Sequence, residues 1–267
     1  MKYKLIATDM DGTLLTSASE ISPKNAEAIR SAVNAGIKVV LATGRPIQGV
    51  RKYIAKLGLC GPVITYNGAV IADSATEEIL YEVSMNRADA ELSLKLGTEY
   101  DTTMCIWSRG QLYTNKLNDR AYDYMKISGV EPILVTDFAG ILDRGITKIL
   151  WYDDVEMIGQ MPAEMATKGF RETEFCLSRP FFLEFFSSKA SKANAIAKLC
   201  EMYDITPAEV VAFGDAPNDL SMIEFAGLGV AMGNALPEVK DVADMVTATN
   251  DEDGVAVVIE GLLRDEI

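Results

Sequence analysis

Histidine is absent from all 267 residues. That absence excludes Ser-His-Asp and Cys-His catalysis, zinc sites built on imidazole, and chemistry through phosphohistidine. Acid–base work near neutral pH falls instead to carboxylates, lysine, tyrosine or cysteine. Cysteine is scarce as well. Cys60, Cys105, Cys176 and Cys200 are widely spaced, form no C-x-x-C pair and read as buried, reduced thiols. Basic residues are outnumbered, 25 Lys and Arg against 39 Asp and Glu, giving a net charge of −14. Nucleic-acid backbones and anionic membranes are therefore poor partners, and an anionic substrate needs a local device against the overall field. No apolar run approaches the roughly 18 residues of a spanning helix. The one N-terminal stretch that could form a signal-peptide core is interrupted by Asp9 and Asp11, so a cytoplasmic protein is expected. The sequence has neither repeats nor a low-complexity linker.

What is present is a globular composition, 49% hydrophobic and 24% charged, long enough for one large domain or two smaller ones. The first apolar run (Leu5, Ile6, Ala7) reads as a buried strand and ends in Asp9-Met10-Asp11-Gly12-Thr13. Two carboxylates so close to a buried strand are costly unless a cation neutralises them or a proton is shared. Carboxylate oxygens suit Mg²⁺. Gly12 lets the chain turn away sharply.

Ser22-Pro23 then opens a helix, with Ala26, Ile29 and Val33 as its apolar stripe. Residues 37–42 form a second buried strand, running into Thr43-Gly44-Arg45. A helix opened by Pro46 carries Ile47, Val50, Ile54 and Leu57, and Gly58 closes it. A third strand, 62–65, precedes Asn67-Gly68, a hairpin signal. Strand, helix, strand, helix, strand predicts a parallel sheet, with ligands outside the carboxyl ends of its strands. Asp9 and Thr43 both lie there.

From about residue 83 the texture changes to short strands with interspersed helices, including paired strands at 170–176 and 181–186. Such a run suggests a separate α+β unit, placed at 83–187. The α/β alternation resumes with a helix from Lys192. A strand at 210–213 follows, ending in Gly214-Asp215-Ala216-Pro217-Asn218-Asp219. Lys192 near a helix start could neutralise a phosphoryl group, with Lys189 a nearby competitor. Asn218 or Asp219 could cap the next helix, orient a ligand, or do both. Gly227-Leu228-Gly229 with Gly233 lacks the setting of a dinucleotide fingerprint and reads as strand and turn.

In order, D-x-D-G-T, T-G-R, Lys192 and G-D-x-x-N-D resemble the motif set of the haloacid dehalogenase (HAD) superfamily, across essentially the whole chain. The long insertion resembles a C2B (Cof-like) cap, closest to the Cof-type, YidA-like sugar phosphatases. Two positions depart from the pattern without removing a functional side chain. Ala193 follows Lys192 where many relatives have Gly, and Ala216-Pro217 fills the variable part of the last motif.

The resemblance implies an α/β fold: a Rossmann-like, parallel-sheet core at 1–82 and 188–267, with an inserted α+β cap at 83–187 that selects the substrate. It implies a Mg²⁺-dependent phosphatase acting on small phosphorylated metabolites, with sugar phosphates expected. Asp9 would be the nucleophile, forming an aspartyl-phosphate, and Asp11 the general acid and base. Phosphate contacts would come from Met10, Thr43, Gly44, Lys192 and Asn218. Metal contacts would come from Asp9, Asp11 (through its carbonyl), Asp215, Ala216 and Asp219, the last as ligand or as anchor of a bound water. The alternatives are a phosphomutase or phosphotransferase using the same aspartates, and a non-catalytic phosphate-binding regulator on the same scaffold. Trp107, Arg109, Tyr113, Arg179 and Phe182 are unranked pocket candidates within the insertion. Oligomeric state is not readable from the sequence.

Overall fold

The computed structural model describes residues 2–267, which divide into two compact units. One runs to Leu80 and resumes at Ser191; the other spans Tyr81–Ala190.

The first unit opens with β1 (Leu5–Thr8), every residue of which is buried. Helix α1 (Pro23–Asn34) follows, its N-terminus closed by the Ser22 hydroxyl, which accepts the Asn25 N–H at 3.0 Å. Next come β2 (Lys38–Leu41) and α2 (Arg51–Leu57), the latter ended by Gly58 in the left-handed region. Then β3 (Pro62–Thr65) and β4 (Val70–Asp73) pair antiparallel, and β5 (Ile79–Glu82) carries the chain onward.

The second unit contains α3 (Arg87–Glu99), β6 (Thr103–Ser108), β7 (Gln111–Thr114), α4 (Asp119–Ser128), β8 (Ile133–Leu134), α5 (Ala139–Arg144), β9 (Lys148–Tyr152), α6 (Val155–Met165), β10 (Thr173–Arg179) and β11 (Phe182–Ser187). Its strands form a six-stranded sheet in the order β10-β11-β9-β6-β7-β8. The period of two sorts the side chains by face. Met104, Ile106, Ile149, Trp151, Leu183 and Phe185 belong to one apolar cluster. Elsewhere in the unit, Lys148 and Glu184 form a nearly buried ion pair at 2.9 Å. Trp107 and Phe182 are core residues, and Trp107 Nε1 donates to the Tyr124 hydroxyl at 2.9 Å. Tyr113 packs on the apolar cluster, leaving only Arg109 and Arg179 exposed among the five pocket candidates.

The chain returns to the first unit with α7 (Lys192–Tyr203), β12 (Val210–Gly214), α8 (Leu220–Phe225), β13 (Leu228–Ala231), α9 (Pro237–Val242), β14 (Met245–Val246) and α10 (Gly254–Leu263). A five-stranded sheet in the order β14-β13-β12-β1-β2 results, parallel at every step. Burial within such a sheet explains why β1 and β12 read as unbroken apolar runs. No helix among the described residues is long and apolar enough to cross a membrane.

Four local expectations are corrected. The buried stripe of α1 is Ala26, Ala28, Ile29 and Ala32, with Val33 42% exposed. That stripe also holds Asn25, whose Oδ1 accepts the Ala256 N–H at 2.9 Å, so a polar residue sits where α1 meets α10. The helix expected from Pro46 is a single 3₁₀ turn at Ile47–Gly49 followed by α2, consistent with the poor helix propensity of Gly49. The strand expected at 170–176 begins only at Thr173. The buried Asp89 carboxylate accepts the Arg171 and Glu172 N–H groups, the latter at 2.8 Å, drawing them away from strand pairing. Finally, Cys60 and Cys176 are exposed. Burial still pushes the Cys176 thiol up to about 11 and the Cys105 thiol up to about 12, so both stay protonated near neutral pH.

Candidate active site

Strand register brings the motifs together. Thr8 lies beside Leu41 in β2 and Phe213 in β12, so the chain leaves all three strands at one level. Asp9, Thr43 and Asp215 follow at those ends, and the Asp9 N–H donates to the Phe213 carbonyl at 2.9 Å.

Lys192 is the cationic centre. Ser191 caps α7 by accepting the Asn194 N–H at 3.1 Å, which sets Lys192 at the first helical position. Its ammonium, wholly buried, donates to Asp9 Oδ1 and Asp219 Oδ1, each at 2.5 Å. The other Asp219 oxygen accepts the N–H groups of Asp215 and Ala216, at 3.0 and 3.1 Å. Both Asp219 oxygens are thus occupied by protein donors. Gly214 permits this closeness, since a Cβ there would fall 2.4 Å from Asp219 Cβ. Burial pushes the Asp9 carboxyl up to about 7, opposed by Lys192 and reinforced by Asp219. Burial works against the Lys192 ammonium, yet Asp9 and Asp219 outweigh it and hold its pKa above the usual lysine value. Lys189, the competitor, is exposed and pairs with Glu172.

Asp215 is oriented by Thr13, whose hydroxyl donates to Oδ1 at 2.7 Å. Burial raises its pKa. Gly12, at φ +85°, passes so near that a Cβ would lie 2.3 Å from Asp215 Oδ2, so no larger residue fits there. Asp9, Asp215 and Asp219 each offer a ligand oxygen, all within 4.8 Å of one another. A largely buried set of hard oxygen donors fits a small divalent cation such as Mg²⁺.

Asp11 is the exposed carboxylate of the group. Arg45 grips it with a two-pronged fork, Nε to Oδ2 at 2.8 Å and Nη2 to Oδ1 at 2.6 Å. The guanidinium also lies 5.4 Å above the Tyr53 ring, and the Asp11 hydrogen bonds raise its pKa. Both Asp11 oxygens are thereby engaged by the guanidinium. Arg45 is the last residue of Thr43-Gly44-Arg45, and its place in that motif was the available signal for this partnership.

Thr43 is buried, and its hydroxyl accepts the Arg45 N–H at 3.2 Å. Met10 has a buried side chain, so any ligand contact from it falls to the main chain. Asn218 is exposed and donates from Nδ2 to Asn67 Oδ1 at 3.0 Å. Asn67 therefore belongs at this strand-end cluster, although its sequence signal, Asn-Gly, points only to a turn.

The family model for haloacid dehalogenase-like hydrolases matches residues 6–259, and the chain belongs to that family. It is 36% identical over 262 residues to the 5-amino-6-(5-phospho-D-ribitylamino)uracil phosphatase YcsE of Bacillus subtilis, covering 96% of this chain and 94% of that one. It is 33% identical over 291 residues to YwtE, a phosphatase of the same name from the same organism, covering 98% and 99%. A solved haloacid dehalogenase-like hydrolase from Bacteroides thetaiotaomicron superposes with a TM-score of 0.85 at 33% identity, covering 98% of this chain and 100% of that one. The protein is a phosphatase acting on phosphate esters.

Proposed function

We propose that this phosphatase is Mg²⁺-dependent and hydrolyses monoesters of sugar or polyol phosphates through an aspartyl-phosphate on Asp9. The observation that carries the reading is the strand-end Asp9 carboxylate, held at 2.5 Å by a buried lysine and grouped with Asp215 and Asp219. Relatives named for a phosphoribityl substrate support a phosphate carried on a polyol chain.

Asp9 attacks phosphorus in line, and the bond to the leaving oxygen breaks as the Asp9–phosphorus bond forms. Asp11, released from Arg45, gives its proton to the departing alkoxide. It then takes a proton from the water that attacks phosphorus, and the Asp9–phosphorus bond breaks to free phosphate. Proton transfer of this kind is worth about 10²–10⁴-fold. Lys192 balances charge on the transferring group, and Thr43, Gly44, Met10 and Asn218 cradle its oxygens. Asp9, Asp215, the Asp11 carbonyl and Ala216 would hold Mg²⁺, which screens Asp9 from the dianionic substrate. Asp219 serves as an anchor, because Lys192 and two main-chain N–H groups already take its oxygens. The inserted segment 83–187 selects the substrate, and the action is on soluble cytoplasmic metabolites.

The test is release of phosphate from an aryl phosphate with and without Mg²⁺, beside Asp9→Asn. Metal-dependent release that vanishes in the variant supports the reading. Transfer of the phosphoryl group to an added polyol in place of water would turn it toward a phosphotransferase.

A further inference from the structure

The turn after β3 does more than reverse the chain. Tyr66 and Asn67 both adopt left-handed conformations, at φ 51° and 56°, and Gly68 follows at φ 99°. Two consecutive non-glycine residues in that region are uncommon, Tyr above all, and persist only where the surroundings fix them. Here three sets of contacts do so. The Asn67 N–H donates to the Thr43 carbonyl at 2.9 Å, and the Tyr66 N–H to the Arg45 carbonyl at 3.2 Å. Gly68 lies against the start of α7, where a Cβ would come within 2.1 Å of the Ser191 carbonyl oxygen and 2.8 Å of the Lys192 nitrogen. The Asn67 side chain rests on Gly44, where a Cβ would lie 2.9 Å from Oδ1 and 3.2 Å from Nδ2. One turn thus touches the segments carrying Thr43, Gly44, Lys192 and Asn218.

We propose that Asn67 is a substrate-binding residue, donating a hydrogen bond from Nδ2 to a phosphoryl oxygen. Asn218 donates to its Oδ1, which leaves Nδ2 as the donor end of the carboxamide. Among the described residues Nδ2 donates to no protein atom, and it lies beside Gly44 at the strand ends. An ordinary turn asparagine spends its side chain on its own backbone. This one is turned instead toward Gly44 and Asn218, two members of the phosphate cradle.

The inference rests on the phosphate cradle proposed above. Asn67→Gly removes the amide while suiting the left-handed backbone, and Asn67→Asp keeps the acceptor but replaces the donor with a negative oxygen. The readouts are the inhibition constant of inorganic phosphate against aryl phosphate hydrolysis, the split between kcat and KM, and the melting temperature. A hydrogen bond to a charged group predicts phosphate inhibition weakened about 10- to 100-fold in Asn67→Gly. It predicts further weakening in Asn67→Asp, with melting preserved in both. Inhibition within about twofold of the parent in both variants, on the scale of a neutral or absent contact, would overturn the assignment. So would a rate loss confined to poor leaving groups. Failure of the parent to lose hydrolysis on Asp9→Asn would refute the underlying mechanism instead, so the two failures are separable.

Discussion

Replacing Lys192 by methionine removes the charge shared by the buried Asp9 and Asp219 carboxylates while nearly preserving side-chain volume. In the parent, one ammonium lies 2.5 Å from both Asp9 and Asp219, with all three residues almost free of solvent. Breaking a buried ion pair by deleting one partner costs about 3–5 kcal/mol, because the remaining charge is left uncompensated. For a chain of this size that is a fall in Tm of about 6–20 °C. The deficit should depend on pH in a definite direction. Lys192 lowers the Asp9 pKa, so its loss moves that carboxyl above its present value of about 7, further from the 3.8 of the unfolded chain. An acid whose pKa is raised by folding binds more protons folded than unfolded, so stability falls as pH rises through that window. Below about pH 7 Asp9 is protonated in both folded proteins, so the gap between variant and parent should stay near its smallest there and widen above pH 7. Added Mg²⁺ should raise the melting temperature of Lys192→Met more than that of the parent. Phosphatase kcat should drop about 10²–10³-fold, as for loss of one preorganised transition-state donor. Melting curves from pH 4 to 8, with and without Mg²⁺, and steady-state kinetics provide the assay. A variant that melts with the parent at every pH, or retains its kcat, would refute this account of Lys192.

Because the Asp9 carboxyl is pushed up to about 7, protons and metal compete for it. Mg²⁺ affinity, measured by calorimetry, should rise by up to about tenfold per pH unit toward pH 7 and level off above it; a pH-independent affinity would contradict this. Asp11→Asn should slow sugar-phosphate turnover by about 10²–10⁴-fold and aryl phosphate turnover far less, since a phenolate leaves without a proton; equal losses would remove Asp11 from the acid role. In the second unit, Glu184→Ala should cost up to about 3–5 kcal/mol by removing the carboxylate that pairs with the nearly buried Lys148, whereas the double change Lys148→Met with Glu184→Leu should recover most of it in denaturant titrations. A double variant no better than the single one would show that the pair is not the source of the loss.

The strand ends were legible because their chemistry is local. An apolar run that stops in carboxylates, or in Thr-Gly, announces both the element and its exit, and the parallel sheet follows from the alternation. The pairings between motifs were not legible. That Arg45 closes on Asp11, or Thr13 on Asp215 across 202 residues, depends on register and loop path, which no spacing rule encodes. Asn67 shows the same limit from another side: Asn-Gly names a turn, but the direction of the carboxamide is set by Gly44 and Asn218, distant in sequence. The second unit was harder still. Trp107 and Phe182 resemble binding aromatics in the sequence and are core in the structure, since an aromatic in a strand carries no mark of the face it occupies.

The central claim is that Asp9 carries the phosphoryl group, and trapping that intermediate tests it most directly. Mg²⁺-loaded enzyme would be mixed with excess aryl phosphate, quenched in acid within the first turnovers, and analysed by peptide mass spectrometry with and without hydroxylamine. The account predicts one phosphoryl group on the peptide bearing Asp9, sensitive to hydroxylamine and absent from Asp9→Asn. Turnover that persists in Asp9→Asn, or a phosphoryl group found on another residue, would contradict it.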